Sequence, residues 1–361
     1  MIPNCTLTTA CFDLTKYNIH SRDLNRTIEN ISALLEVPCY LVIFTDNILF
    51  NFIKNKRDEY GFDNITHYIV IDIETLDSFK YRTTVTENRK KYHPTKDERT
   101  CPESHLVCSS KFELVLKTIN LNPFNTLKFG WIDSNIGINF SKICTNYKNN
   151  MLLKVLNDCD NNKFNLQILN VCDKKYINED NLKEYYFQYR WIVCGCLFIT
   201  GKEIGTKILN ELNNKFIRHT ELGYGHGEEM YYLEILDKFY DDINRSYGDY
   251  NHILNNFNNI TVGFDYVKNI AYLYMQYSYH RECIDCCNYV LSQYNKYNVE
   301  INYDIYFDLM FFKYISLYYY DNKEAKSHVL KILEEINKNP KIKTAYERNK
   351  EYYDAQFRYA L

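Results

Sequence analysis

The residues that point most directly to chemistry are an acidic and an amide side chain that follow a strand-like run. Asp133 and Asn135 come directly after the apolar segment Phe129-Gly130-Trp131-Ile132. Oxygen ligands two positions apart on a tight turn suit a divalent cation such as Mn²⁺ or Mg²⁺, which acts as a Lewis acid on a diphosphate leaving group. We therefore expect Asp133 and Asn135 to be metal ligands, although an amide binds such a cation less well than a carboxylate does.

A second candidate is the glycine-rich turn that precedes two adjacent glutamates. Three glycines between positions 223 and 227 let the backbone approach a ligand closely, and Glu228 and Glu229 follow at the start of a predicted helix. Either glutamate is a candidate general base that removes the proton from the hydroxyl group of an acceptor substrate. His226 is a candidate metal ligand or a hydrogen-bond donor to a phosphate. The alternative is that both acids only stabilise the start of a helix.

Aspartates also end the first three strand-like runs of the chain. The pairs are residues 7–12 with Asp13, 39–45 with Asp46 and 66–71 with Asp72. Ligands of open α/β sheets bind beyond the carboxyl ends of the strands, which makes Asp13 and Asp46 candidate ligand-binding residues. The alternative for Asp46 and Asp72 is that each caps the element that follows it.

These residues require a sheet and helices to position them, and the first 250 residues alternate between the two patterns. Helical spacing is found at 22–35, 47–57, 106–121 and 202–215, and further strand-like runs at 126–132, 164–171 and 191–199. This alternation predicts an α/β domain with a largely parallel sheet. Between them, residues 79–99 are polar and basic with Pro94 inside, and we expect an exposed loop, either a cover for the site or a solvated loop without a role.

The pattern changes at about residue 251, after which no strand pattern remains. Amphipathic helices are predicted at 264–279, 282–294, 303–320, 323–337 and 344–357. A weak internal repetition resembles helix pairs of the tetratricopeptide type. The chain is therefore expected to consist of an α/β domain at 1–250 and an α-helical, repeat-like domain at 251–361, the latter available for a protein partner or self-association.

Composition narrows the function classes. A net charge of −3 in 361 residues gives no electrostatic footprint for nucleic acid. No apolar run is long enough to cross a membrane and the first residues lack a secretory signal, so we expect a cytoplasmic protein with reduced thiols among its 13 cysteines. The abundance of Tyr, Asn, Lys and Ile suggests an AT-rich genome, such as that of a protist or a giant virus, in which case the location is the host cytoplasm.

Cysteine clusters raise the alternative of a zinc site. Cys101, His105 and Cys108 form one cluster, and the run Cys283 to Cys287 forms another. Neither has the second ligand pair that completes a structural zinc site, so we interpret both as groups of buried or bystander thiols.

Several segments together resemble a known family. The stretch 105–113, its continuation through Leu121-Asn122-Pro123-Phe124-Asn125 and the block Trp131-Ile132-Asp133 look like the HtrL/YibB family, as do 12–14, 41–46 and 195–202. These are bacterial and eukaryotic proteins regarded as GT-A-type glycosyltransferases. The resemblance covers roughly residues 5–257 and implies a GT-A-like mixed sheet flanked by helices.

The resemblance also implies roles for individual residues. It places a nucleotide-sugar donor, with UDP-linked sugars favoured, across four positions, which are Asp13, Arg22, Asp46 and Asp133. It further implies that Ser110 and Lys111 face the same cleft, with Lys111 offering a cation to the diphosphate, and that Glu228 or Glu229 faces a glycan or protein acceptor. The Asp-x-Asp metal motif of GT-A enzymes is absent as such, because Asn135 stands where the second acid is expected.

Two other functions compete with glycosyl transfer. One is a catalytically inactive GT-A-like scaffold that recruits a partner through the helical domain, which the amide at Asn135 favours. The other is a nucleotide-sugar hydrolase or nucleotidyltransferase. That class ordinarily has a glycine-rich phosphate loop near the first strand, and residues 12–18 contain no glycine.

Overall fold

The computed structural model describes residues 2–17, 24–91, 101–136, 151–225, 227–297, 302–321 and 324–360. The chain forms two compact units. The first comprises Met1–Arg245 and Asn251–Asn258, and the second comprises Ser246–Tyr250 and Asn259–Leu361.

Within the described residues, seven strands form one mixed sheet. They are β1 (Cys5–Cys11), β2 (Tyr40–Thr45), β3 (Thr66–Val70), β4 (Lys128–Ile132), β5 (Phe164–Ile168), β6 (Leu197–Gly201) and β7 (Ile243–Tyr247). Their order across the sheet is β3-β2-β1-β4-β6-β5-β7. The strands β1 to β4 pair in parallel, whereas β6 runs antiparallel to both β4 and β5. The predicted mixed sheet flanked by helices is therefore confirmed.

The helices of the first unit lie between these strands or follow the last of them. They are α1 (Leu24–Leu35), α2 (Asn47–Glu59), α3 (Arg82–Lys91), α4 (Pro102–Leu121), α5 (Met151–Asp158), α6 (Leu182–Tyr185), α7 (Lys202–Glu221), α8 (Tyr232–Lys238) and α9 (Ile253–Phe257). Strands β1, β2 and β4 to β6 are buried almost throughout, including the Asn165 and Gln167 side chains of β5. Both faces of the sheet are therefore covered, which explains the continuous apolar run of β2.

The order in which the chain adds strands to the sheet reverses at β1. From β1 the chain reaches β2 on one side, and β4 lies on the other side of β1. At such a switch the connections diverge and leave a crevice beyond the carboxyl ends of the strands, where ligands of α/β proteins bind. Because β1, β2 and β4 are parallel, Asp13, Asp46 and Asp133 follow three strands that end at the same edge of the sheet.

The segment 79–91 differs from the exposed loop that its composition predicts. It forms the end of a 3-10 turn (Asp77–Tyr81) and the helix α3, with Phe79 and Val85 buried. The Asn88 amide donates hydrogen bonds to the Thr220 and Tyr224 carbonyl oxygens at 2.8 and 3.1 Å. Burial of Phe79 and Val85 stabilises the turn and the helix against the rest of the unit, although the basic composition of the segment favours exposure to solvent. Residues 92–100, including Pro94, lie outside the described residues.

One other strand prediction is corrected, and one strand was not predicted at all. The strand expected at 191–199 is displaced, because Val193 makes a single bridge with Ile168 and regular pairing begins only at β6. The edge strand β7 carries Asn244 and Arg245, side chains that weaken its strand pattern. Sequence reasoning accordingly missed it.

The second unit is helical in the parts that the structure describes. Its helices are α10 (Phe264–Gln276), α11 (His280–Tyr297), α12 (Tyr303–Tyr320), α13 (Ala325–Lys338), α14 (Pro340–Arg348) and α15 (Lys350–Ala360). The helix predicted at 344–357 is thus divided near Asn349. Cys283 and Cys286 are buried, and their thiols donate to the Ala271 and Val267 carbonyl oxygens. The relation to tetratricopeptide repeats stays a prediction.

None of the helices in the described ranges has both the length and the apolar character needed to cross a bilayer.

Candidate active site

The site begins at Asp133, the first residue after β4. Its backbone N–H donates to the Cys196 carbonyl oxygen at 2.9 Å, which ties the end of β4 to the chain entering β6. The Trp131 indole N–H donates to Asp133 Oδ1 at 2.5 Å and so fixes the carboxylate from its own strand. The side chain keeps 28% of its surface exposed. Asp133 is therefore held in a defined orientation while it remains accessible to a ligand.

Lys111, on α4, is the central charge of the site. Its side chain is only 1% exposed, and its ammonium donates to the Gly195 carbonyl oxygen at 2.8 Å and to Glu228 Oε1 at 2.5 Å. Asp133 Oδ1 lies 3.6 Å from the same nitrogen. Burial alone would lower the pKa of Lys111, but the carboxylates of Asp133 and Glu228 hold that pKa well above its usual value. Lys111 is therefore a buried cation that is paired on more than one side.

Glu228 and Glu229 enter the site from a 3-10 turn, Glu228–Tyr231, and have opposite pKa shifts. Burial alone would raise the pKa of Glu228, but the Lys111 ammonium brings it below its usual value. Burial and the neighbouring Glu228 raise the pKa of Glu229 to about 8. At neutral pH the pair therefore presents one carboxylate and one carboxylic acid, the arrangement by which adjacent acids take separate roles.

Tyr189 holds Glu229 from a segment that precedes β6. Its hydroxyl donates to Glu229 Oε2, and this hydrogen bond favours the ionised form of Glu229. The contact depends on Gly227, because a Cβ atom there would lie 2.0 Å from the Tyr189 hydroxyl oxygen. Gly195 is similarly constrained, since its Cβ would lie 2.9 Å from Glu228 Oε1. Two glycines thus allow the chain to approach the paired glutamates closely.

His105, on α4, fixes the turn that carries the glutamates. The Gly227 backbone N–H donates to His105 Nδ1 at 3.1 Å, and His105 Nε2 lies 3.4 Å from the Tyr231 hydroxyl oxygen. Burial, with a contribution from Arg89, lowers the pKa of His105 to about 4. The imidazole is therefore neutral at physiological pH, as an acceptor at Nδ1 requires.

Replacing Gly227 with alanine is expected to destabilise the protein by about 2–4 kcal/mol, because a left-handed backbone and a clash with Tyr189 combine. Its φ is +71°. Gly61 is a matched control, with φ of +73° and no heavy atom of the described residues within 4 Å of its would-be Cβ. Gly61→Ala should cost only about 1–2 kcal/mol. The free energy of unfolding of both variants is measured by urea denaturation. Equal decreases in Gly227→Ala and Gly61→Ala would show that the Tyr189 contact does not constrain Gly227.

Asp13 and Asp46 form a separate contact at the ends of β1 and β2. Asp46 Oδ1 caps α2 by accepting from the Ile48 and Leu49 backbone N–H groups, both at 2.9 Å. Its Oδ2 accepts from the Asp13 N–H at 2.6 Å. Asp13 Oδ1 in turn accepts from the Thr15 N–H and hydroxyl. The capping role proposed as the alternative for Asp46 is thus observed, and donor binding by these two residues stays a prediction.

The other candidate residues are placed as follows. The Ser110 hydroxyl oxygen lies 2.5 Å from that of Ser78 and donates to the Leu106 carbonyl oxygen, so its described contacts differ from those of Lys111 although the two are adjacent. Asn135 lies half-buried in the turn after β4, two residues beyond Asp133. The candidates Arg22 and His226 lie outside the described residues.

The site carries more negative than positive charge. Lys111 faces two carboxylates, Asp133 and Glu228, before Glu229 ionises. In the described part of the chain, no group of three or more His, Cys, Asp or Glu side chains is arranged to hold a metal ion. Asp133 and Asn135 do supply the hard oxygen atoms that Mg²⁺ and Mn²⁺ prefer, and Mg²⁺ sites commonly use one or two protein ligands together with substrate phosphates.

Comparison with known proteins gives a family and a structural neighbour. A family model described as "Bacterial protein of unknown function (HtrL_YibB)" matches residues 3–218. This range contains Lys111 and Asp133 and ends before Glu228. The crystal structure of mouse xyloside xylosyltransferase 1 in its apo form is similar with a TM-score of 0.34 and 11% identity, covering 66% of this chain and 84% of that chain. No curated protein matches the sequence.

Proposed function

The chain belongs to the HtrL_YibB family, and we propose that it is a glycosyltransferase that moves a sugar from a nucleotide-sugar donor to a glycan or protein acceptor. The observation that carries the proposal is the cluster of Lys111, Asp133, Glu228 and Glu229 beyond the carboxyl end of β4, beside the switch point at β1. The cluster combines an oriented carboxylate for donor binding with a carboxyl group that titrates near neutral pH.

Charge supports a metal-bound diphosphate in this cluster. The excess of carboxylates around Lys111 would repel a diphosphate, and a divalent cation held by Asp133 and Asn135 would reverse that repulsion. When bound, such a cation would supply Lewis-acid stabilisation of the leaving group. Asp13 and Asp46 are proposed to face the nucleoside, since they follow the adjacent strands. Lys111 keeps Asp133 and Glu228 in place rather than reaching the diphosphate itself, because its ammonium is already bonded to Glu228 and Gly195.

Glu229 is proposed to handle the acceptor. In its ionised form it takes the proton of the acceptor hydroxyl, whose oxygen forms a bond to the anomeric carbon. The bond from that carbon to the diphosphate breaks, and the nucleoside diphosphate leaves with the electron pair. A base is most effective when its pKa lies near the working pH, and the pKa of Glu229, about 8, meets that condition.

Binding of a donor is expected to stabilise the protein measurably. A nucleotide sugar at 100 times its dissociation constant adds about 2.7 kcal/mol, which raises the melting temperature of a domain of this size by about 5 °C or more. The test is a thermal-shift panel of UDP-, GDP- and dTDP-sugars with and without Mn²⁺. We expect one nucleotide class to shift the wild-type protein, and only with Mn²⁺.

Asp133→Ala should abolish that shift, and Asp158→Ala is its matched control. Asp158 is 58% exposed, and the backbone around it accepts hydrogen bonds from Lys128, the residue that begins β4. The control therefore removes the same charge at the opposite end of the strand. A shift that survives Asp133→Ala would contradict the proposed donor site. No shift with any donor would favour the alternative of an inactive scaffold that acts through its helical domain.

A further inference from the structure

An exposed tryptophan lies close to the paired glutamates. Trp191 is 58% exposed, and its ring centroid lies 4.7 Å from that of Tyr189. The Tyr189 hydroxyl donates to Glu229. A single side chain thus separates an exposed indole from the carboxyl group that is proposed to serve the acceptor.

The backbone under Trp191 is anchored rather than free. The next residue, Ile192, accepts hydrogen bonds through its carbonyl oxygen from the Leu169 and Asn170 N–H groups, at 2.9 and 3.2 Å. Arg190, on the other side, donates to the Tyr185 carbonyl oxygen and lies over the Tyr176 ring. The neighbours of Trp191 are therefore engaged with the protein while its own ring remains exposed. Tryptophan is enriched at binding interfaces, because it combines a large apolar ring with a polar N–H.

The chemistry of the surroundings selects the ligand. An indole presents a flat apolar face together with a polar edge. A sugar ring has the complementary surface, because its axial C–H groups form an apolar face and its hydroxyls project from the rim. A ring stacked on Trp191 would bring hydroxyls to the neighbouring carboxyl group, which can accept hydrogen bonds beyond the one from Tyr189. An apolar protein segment would offer that group no further partner.

We propose that Trp191 is the platform on which the sugar of a glycan acceptor stacks, with one of its hydroxyls reaching Glu229. This inference rests on the proposed function, and it narrows the acceptor class from glycan or protein to glycan. The assignment to the acceptor follows from the contacts, since Tyr189 links Trp191 to Glu229. Asp133, the proposed donor residue, is instead held by Trp131 and Lys111.

Intrinsic fluorescence offers a direct test, because the chain has only two tryptophans and they differ in exposure. Trp131 is 3% exposed, against 58% for Trp191. With excitation at the red edge, where tyrosine does not absorb, the response of the exposed indole is measured during titration with lactose, cellobiose, maltose and N,N′-diacetylchitobiose. We expect at least one disaccharide to change the emission of the wild-type protein, and Trp191→Phe to lose most of that change.

Trp191→Ala tests the same contact without relying on fluorescence. We expect at least a tenfold weaker affinity for the responding disaccharide by calorimetry, with the thermal shift by nucleotide sugar and Mn²⁺ unchanged. Phe187→Ala is the matched control, since Phe187 is 80% exposed on the same segment. It should leave saccharide affinity unchanged. Both variants change exposed side chains and should alter stability by about 0.5 kcal/mol or less.

The outcomes separate this inference from the proposed function. Equal saccharide affinity in Trp191→Ala and wild type, or no response to any saccharide in a protein that binds nucleotide sugar, would overturn the platform while leaving glycosyl transfer in place. A saccharide response that depends on Trp191, in a protein that binds no nucleotide sugar, would support the platform and overturn the transferase. Failure of both measurements would overturn both.

Discussion

Lys111→Met is expected to lower the free energy of unfolding by about 3–5 kcal/mol and to abolish sugar transfer. The substitution preserves much of the side-chain volume but removes the cation between Glu228 and Asp133, whose nearest oxygens lie 2.5 and 3.6 Å from it. Glu228 is left as a buried carboxylate without its partner and must take up a proton or stay unpaired. The measurement is urea denaturation at neutral pH, together with release of nucleoside diphosphate from the donor.

A double variant separates the structural role of Lys111 from its role in the site. In Lys111→Met with Glu228→Gln, the unpaired charge is gone, so most of the lost stability should return. Transfer should not return, because the orientation of Asp133 and the charge balance of the site are still altered. Recovery of both stability and transfer would show that Lys111 only neutralises Glu228.

Lys117→Met is the matched control on the same helix. Lys117 pairs with Glu113 four residues earlier, and its side chain is 46% exposed. Only the Lys117 end of this pair is exposed, and the buried Glu113 carboxylate also accepts a hydrogen bond from the Asp77 backbone N–H at 3.2 Å. The control should therefore lose less stability than Lys111→Met and no activity. A comparable loss in both variants would mean that α4 tolerates no such change, and that the cost at Lys111 does not arise from its ion pairs.

The sequence was sufficient to predict the fold class but not the contacts around Lys111. Largely apolar runs predicted β1, β2 and β4 to within a few residues, because strands covered on both faces carry few charged side chains. The same reasoning failed at 79–91, where basic residues suggested a solvated loop. In that segment, burial of Phe79 and Val85 decides the structure, and local composition does not reveal tertiary burial.

The candidate site could be predicted only where a local sequence pattern marks its residues. Asp133 could be found from its place after a strand, and the glutamates from the glycine-rich turn before them. Tyr189 and His105 were missed because each reaches the glutamates through a long-range contact that no local pattern marks. Gly195 did leave a signal, since an isolated glycine in an apolar run indicates that another chain segment approaches closely.

Glu229→Gln is expected to reduce turnover by about 10²–10⁴-fold, the usual contribution of a general base. Because the ionised form accepts the proton, kcat/KM of the wild-type protein should rise with pH until the pKa of Glu229, about 8, is passed. The variant should lack this rise. Glu234→Gln is the control, since Glu234 is a partly exposed acid on the adjacent α8 that pairs with Lys215. It should keep wild-type turnover.

The same substitution should change how stability depends on pH. The pKa of Glu229 is raised in the folded protein from 4.5 to about 8, so protonated Glu229 favours the folded state. Its contribution is fully present below pH 4.5 and is lost as pH rises from there through about 8, at a slope approaching 1.4 kcal/mol per pH unit. The unfolding free energy of wild type minus that of Glu229→Gln should therefore fall across this window and be flat on either side.

Tyr189→Phe tests whether the pH dependence of kcat/KM arises from titration of Glu229. The Tyr189 hydrogen bond lowers the pKa of Glu229, so its removal should move the rise in kcat/KM to higher pH without abolishing it. A pH profile that Tyr189→Phe leaves unmoved, with full turnover in Glu229→Gln, would assign the proton transfer elsewhere. In that case Glu228 is the remaining acid in the cluster. Because Lys111 keeps Glu228 ionised, it could serve only if the ion pair opened during the reaction.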